Sequence, residues 1–221
     1  MANSTLLKSS IARKVAMALS GLFLILFLAQ HCFINTTSLF GEETFNMISH
    51  FMGNNPLVQY IIQPILIVGV VFHFVMGFIL DFQNRSSRPV GYAKYNGGAN
   101  ASWMSRNMII TGSVVLAFIG LHFYDFWVPE MIYKYVNVGP LVENRYYEEL
   151  QHKFISLPRT IIYCISFGLL ALHLWHGFNS SFQSVGFNNK YSKALKGFAK
   201  AFSVVVPLLF VVIALFHHFS H

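Results

Sequence analysis

The sequence predicts an all-α integral membrane protein, a bundle of five transmembrane helices with the N-terminus cytoplasmic and the C-terminus outside. Three observations carry this. Hydrophobic residues make up 55% of the 221 and charged residues only 10%, against roughly 25% charged in an average soluble domain. Five apolar runs are each about the 20 residues that a helix needs to cross a bilayer. Basic residues gather in alternate segments between those runs.

The runs are Val15 to Ile34, Leu57 to Leu80, Met108 to Val128, Pro158 to Phe178 and Ala201 to Phe219. In lipid each must satisfy its own backbone hydrogen bonds, so each is expected to be helical. Pro56 and Pro158 suit helix starts, whereas Pro64 and Pro207 fall inside helices and predict kinks. The first run is too long for a signal-peptide core and has no small-residue cleavage pattern behind it, so no cleavable signal is expected. One domain is expected over residues 1–221, with a short surface helix around Tyr146 to His152 in the third loop. No internal repeat is evident beyond the recurrence of histidine.

Charge supplies the orientation. Lys8, Arg13 and Lys14 precede the first run; Arg85, Arg88, Lys94 and Arg106 lie in the second loop and Lys190, Lys193, Lys196 and Lys200 in the fourth. Eleven of the fifteen basic residues thus share one side, which the positive-inside rule places in the cytoplasm. The first loop has Glu42 and Glu43 and no basic residue, and the third is mixed. A net charge of +7 distributed this way reads as membrane orientation, not as a nucleic-acid-binding face. Cys32 and Cys164 sit in apolar runs, form no CxxC motif and read as packing residues.

Four of the ten histidines lie well inside the runs, one in each of the first four: His31, His73, His122 and His173. Ionisable groups in a span are costly and by default functional. Counted from the cytoplasmic ends of their helices, His31 and His122 stand about 24 and 21 Å deep, His73 and His173 about 10 and 8 Å. That makes two layers, each with two histidines from different helices. A structural zinc site needs four ligands in one layer, and Cys32 is the one carboxylate or thiol neighbour read at a matching depth. Haem supplies four equatorial nitrogens, so two axial histidines complete the iron. The expectation is two b-type haems, an outer one on His31 and His122 and an inner one on His73 and His173. His176, one turn from His173, is a headgroup-level residue or a propionate partner. Gly21, Gly69, Gly112, Gly120 and Gly168 serve helix packing or haem clearance. His217, His218 and His221 read as a polar helix end.

These residues resemble the cytochrome b membrane subunit of succinate dehydrogenase and fumarate reductase, in its single-subunit, five-helix, dihaem form and with a Bacteroidetes-like look. The resemblance covers nearly the whole chain. It rests on the histidine pattern and on the segments ALSGLFLILFLAQH, SRNMIITGSVVLAFIGLHF and ALHLWHGFNSSFQSVGF. In the last, His173 stands four residues before Gly177, and Gly186 follows nine later, a spacing that favours His173 over His176. The resemblance implies a flavoprotein subunit and an iron–sulfur subunit docked on the cytoplasmic face, and electron transfer through haems on the order of 10–15 Å apart in depth to a quinone. It implies menaquinone near the outer haem, with a carboxylate handling protons. Glu42, Glu43, Asn46 and His50 occupy the corresponding loop, with Gln59 and Gln63 following. Trp103, Arg106, His176 and Lys196 are candidates for the inner haem propionates. Two other classes compete: a different dihaem transmembrane cytochrome, and a transporter whose histidines relay protons.

Overall fold

A computed structural model describes residues 9–87, 103–187 and 189–220. Arg88, Lys94, Lys8 and His221 lie outside the described residues. Among those described there is no strand, and five helices are long and apolar enough to cross a membrane. They begin with α1 (Ser10–Thr36), which a 3-10 turn extends to Leu39. Helix α2 (Glu42–Asn54) fills the first loop. The second span is α3 (Gln63–Ser86), entered through a π turn over Val58–Ile62. The short α4 (Trp103–Arg106) leads into the third span, α5 (Met108–His122), which continues through two π turns to Val136. Helix α6 (Arg145–Ile155) precedes the fourth and fifth spans, α7 (Leu157–Ser184) and α8 (Ser192–Phe219).

The helices outrun their apolar cores, because a run counted by hydropathy stops where polar residues begin and the backbone ladder does not. The clearest case is the third span. Its expected end was Val128, yet Glu130 and Lys134 lie within the continuing helix. Proline sets the local geometry twice. Pro64 and Pro129 cannot donate a backbone hydrogen bond, and each follows a π turn whose next N–H reaches back five residues: Gln63 to Val58 and Val128 to Phe123. A wide turn thus stands just before each proline, an irregularity of the helix at the place where a kink was expected for Pro64. At the entry to the second span, the Asn55 carboxamide oxygen accepts from the backbone N–H of Leu57 at 2.9 Å, capping a helix that begins with Pro56.

Helix α7 is the hub, packing on α8, α1 and α5, while α1 also touches α3. Polar side chains within the spans bond back to their own helix: Ser113 to the Ile109 carbonyl, Ser166 to Ile162 and Ser203 to Ala199, which keeps their donors satisfied in lipid. The main buried cluster runs from Cys32 through Phe167 to Phe210 and Ile213. Leu26, Val68, Ile165 and Leu208 are exposed, as residues facing lipid must be. The segment between the third and fourth spans is tied together by side chains too. Glu130 takes Lys134 at 2.6 Å, the Tyr146 hydroxyl at 2.7 Å and the guanidinium of Arg145, and Arg145 continues to Glu149 at 2.7 Å. Burial works against the charge on Arg145, but the hydrogen bond to Glu130 and the two nearby carboxylates outweigh it and raise its pKa. Burial, then the hydrogen bond to Glu130, raises that of the Tyr146 hydroxyl.

Candidate functional site

The four intramembrane histidines meet in two pairs. At one level the ring centroids of His31 on α1 and His122 on α5 are 5.7 Å apart, with planes at 83°. Phe27 stacks on His31 at 5.4 Å, Phe126 leans on His122 at 5.1 Å, and Phe210 and Tyr163 complete an aromatic wall. The Asn35 amide donates to the His31 carbonyl at 2.8 Å and lies 3.4 Å from the ring Nε2. The Nδ1 of His122 is buried and has no hydrogen-bond partner among the described residues.

At the second level His73 on α3 faces His173 on α7, with centroids 6.4 Å apart and planes at 74°. Ser20 Oγ lies 3.0 Å from His73 Nδ1, and Thr111 Oγ1 lies 3.4 Å from His173 Nδ1. A Cβ added to Gly21 would sit 3.4 Å from His73 Cε1, and one added to Gly112 would sit 3.4 Å from His173 Cε1. Of the glycines singled out in the sequence, these two adjoin imidazoles. Gly69 instead lies under the Phe23 ring, and Gly120 and Gly168 face open space. Gly177 passes close to Met108, whereas Gly186 closes α7 at φ +87°, a conformation that favours glycine.

Two imidazoles bonded on opposite faces of one iron at about 2 Å each would have centroids roughly 6 Å apart. Both pairs are close to that separation. Among the described residues no group of three or more His, Cys, Asp or Glu side chains could hold a metal ion. Two imidazoles alone suit an ion that arrives with its remaining ligands, as iron does in haem. The residues present therefore fit haem better than a bare ion.

The other sequence candidates are more dispersed. His176 is half-buried one turn beyond His173, and it is His173 that faces His73. Trp103 is exposed and Arg106 half-buried on α4, which packs against α7. Lys196 is exposed and lines a shallow cavity of about 320 Å³ with Asn179, Phe182 and Gln183. At the other end, Glu42 and Glu43 are exposed in the first turn of α2, where the helix dipole favours their charge. Asn46 is buried and accepts the Tyr147 N–H at 3.0 Å. His50 donates from Nε2 to the Glu143 carbonyl at 2.9 Å and packs on Tyr146. Gln59 accepts from the Tyr135 hydroxyl, and Gln63, half-buried, opens α3.

Two sequence readings need correction. Cys32 is not the one acidic or thiol neighbour of the His31–His122 pair. Asp125 stands one turn beyond His122, only 1% exposed, in the π turn Phe123–Trp127. Its Oδ2 accepts the Tyr163 hydroxyl at 2.8 Å, and Arg159 and Lys153 approach Oδ1 at 3.4 and 3.9 Å. The phase of the wide turn, invisible in hydropathy, carries it inward. His217 is likewise no exposed polar end: it is 0% exposed, with Nε2 2.9 Å from Ser38 Oγ.

No family model matches the chain, and no solved structure matches it. It is similar to the succinate dehydrogenase cytochrome b558 subunit of Bacillus subtilis (strain 168), 27% identical over 103 residues, or 45% of this chain and 46% of that protein. The match spans about half the length of that relative, and it supports, loosely, kinship with succinate dehydrogenase cytochrome b subunits.

Proposed function

We propose that the chain is a single-domain dihaem cytochrome b, the membrane anchor of a succinate:quinone oxidoreductase in a bacterial inner membrane. The observation that carries this is the two facing histidine pairs on four helices of a five-span bundle. The likeness to a succinate dehydrogenase cytochrome b558 subunit supports the choice of complex.

In this reading His31 and His122 hold one haem b and His73 and His173 the other. Bound haem supplies one-electron redox chemistry, linking an iron–sulfur partner to a membrane quinone such as menaquinone. The residues of this chain ligate, orient and exclude water. The basic segments around Arg106 and Lys196 form the cytoplasmic docking face for the iron–sulfur and flavoprotein subunits, with Trp103, Arg106, His176 and Lys196 disposed toward the inner propionates. The quinone binds near the outer pair, within reach of the end that carries Glu42, Glu43, His50 and Gln63. Asp125 joins these as a buried carboxylate beside the outer pair.

The test is a reduced-minus-oxidised absorption spectrum with haem quantification on the purified protein. Two haems per chain are expected. A colourless protein overturns the reading and favours histidines that relay protons. Two haems without co-purifying flavoprotein and iron–sulfur subunits favour another class of dihaem cytochrome.

A further inference from the structure

Each inner-layer imidazole is met by a hydroxyl–glycine pair from the helix beside it. Ser20–Gly21 on α1 meets His73 on α3, and Thr111–Gly112 on α5 meets His173 on α7. We propose that Ser20 and Thr111 are matched positioning residues, each fixing the tautomer and ring orientation of an inner-layer histidine so that Nε2 carries the lone pair offered to iron. This deepens the haem reading and rests on it.

The direction of each hydrogen bond follows from counting protons. A hydroxyl has one to give. Ser20 donates its proton to the Met17 carbonyl at 2.8 Å, and Thr111 donates to the Met108 carbonyl at 3.1 Å. What each oxygen has left for the imidazole is a lone pair. His73 and His173 must therefore donate from Nδ1, and a neutral imidazole has only one N–H. Nε2 is then the bare nitrogen, the form a metal ligand requires. The glycine next to each hydroxyl lies beside the same ring: a Cβ added at Gly21 or Gly112 would just reach van der Waals contact with Cε1, so the Nδ1–Cε1 edge of each imidazole faces the hydroxyl-bearing turn.

The two devices are copies of one pattern. Ser20–Gly21 precedes His31, and Thr111–Gly112 precedes His122, with nine residues between glycine and histidine in both. Eleven residues from hydroxyl to histidine make three turns plus about 20°, so both lie on one helix face about 16 Å apart in depth. A single face of α1, and again of α5, thus presents its own histidine to the outer layer and orients a neighbour's histidine in the inner layer. The repeat escapes a search for similar segments because just four positions of each recur, the hydroxyl, the glycine, Phe27 or Phe118, and the histidine.

The arrangement separates two effects that a merely structural role would mix. Ser20 and Thr111 sit on the helices that carry the outer ligands, yet their removal should register at the inner haem. The experiment compares Ser20→Ala, Thr111→Val and the conservative Ser20→Thr and Thr111→Ser in the full chain with its native partners. It reads haem per chain, the electron paramagnetic resonance g values of each ferric haem and each midpoint potential. His73→Ala identifies the inner signals. Loss of an acceptor for Nδ1–H makes the imidazole a poorer electron donor. Ser20→Ala and Thr111→Val are therefore expected to raise the inner midpoint potential and weaken inner-haem retention about 10- to 100-fold. The outer signals should stay as in wild type, which serves as the folding control, and the conservative variants should restore the inner ones. Inner signals unchanged in both Ser20→Ala and Thr111→Val, or changes confined to the outer haem, overturn the assignment while leaving the dihaem reading intact. A wild-type chain without haem overturns both.

Discussion

His217 and Ser38 join the ends of the first and fifth spans through one fully buried hydrogen bond, Nε2 to Oγ at 2.9 Å. Ser38 gives its own proton to the Asn35 carbonyl at 2.7 Å, so His217 is the donor. Tyr147 of α6 packs on the same imidazole at 5.2 Å. Replacing His217 by Ala removes the donor and the ring contact together, for an expected loss of about 1–3 kcal/mol. Thermal unfolding followed by circular dichroism in detergent checks it; an unchanged midpoint would mean the contact contributes nothing.

The paired rings predict which haem each histidine holds. His31→Ala or His122→Ala should empty the outer site preferentially, and His73→Ala or His173→Ala the inner one. His176→Ala should retain two haems. Haem quantification together with low-temperature spectra distinguishes these outcomes, and one haem lost from His176→Ala with two kept in His173→Ala would reverse the assignment between those neighbours.

Orientation gives a third expectation. Since the ends of α1 and α8 meet, Ser38 and His217 share one side of the bundle, and the positive-inside rule predicts that this side, with the end of the fifth span, is the outer one. A phosphatase fused after the fifth span should be active and a cytoplasmic reporter silent. The opposite result would invert the docking face and the quinone side with it.

Asp125 offers a contrast in kind with Glu42 and Glu43. It is enclosed and receives Tyr163, Arg159 and Lys153, whereas the two glutamates are exposed on α2. Asp125→Asn can still accept from Tyr163, so a modest destabilisation of about 1–3 kcal/mol is expected, with both haems retained. If Asp125 supplies protons near the outer pair, quinone turnover in that variant falls by about 10-fold or more. Glu42→Gln, Glu43→Gln and His50→Ala, measured beside it, show which of these groups the quinone depends on. Turnover at the wild-type rate in Asp125→Asn removes it from the set.

Much of the bundle was legible in the chain, for a physical reason. Lipid offers no hydrogen bonds, so an apolar run of sufficient length has to be helical whatever its neighbours do. Five spans follow from length and hydropathy, and alternate charge orders their ends. Depth is equally local: at 1.5 Å per residue, position in a helix gives height in the membrane, which grouped His31 with His122 and His73 with His173 before any packing was known.

What depends on azimuth was decided by tertiary structure. Hydropathy cannot say which way a residue faces once its whole helix is apolar, and a π turn before a proline rotates everything that follows. That is why the inward turn of Asp125, whose depth beside His122 was countable, and the burial of His217, read as part of a polar helix end, were not legible in the chain. It is also why Ser20 and Thr111 carried no signal, since small hydroxyl residues in a span ordinarily bond back to their own carbonyls. Sequence by itself determined how many spans there are, which histidines share a level and which segments are basic. Only the packing of α1 on α3 and of α5 on α7 decided which faces meet, because a hydrogen bond between helices depends on rotation and approach within about an ångström, and neither is written in the order of apolar residues along one helix.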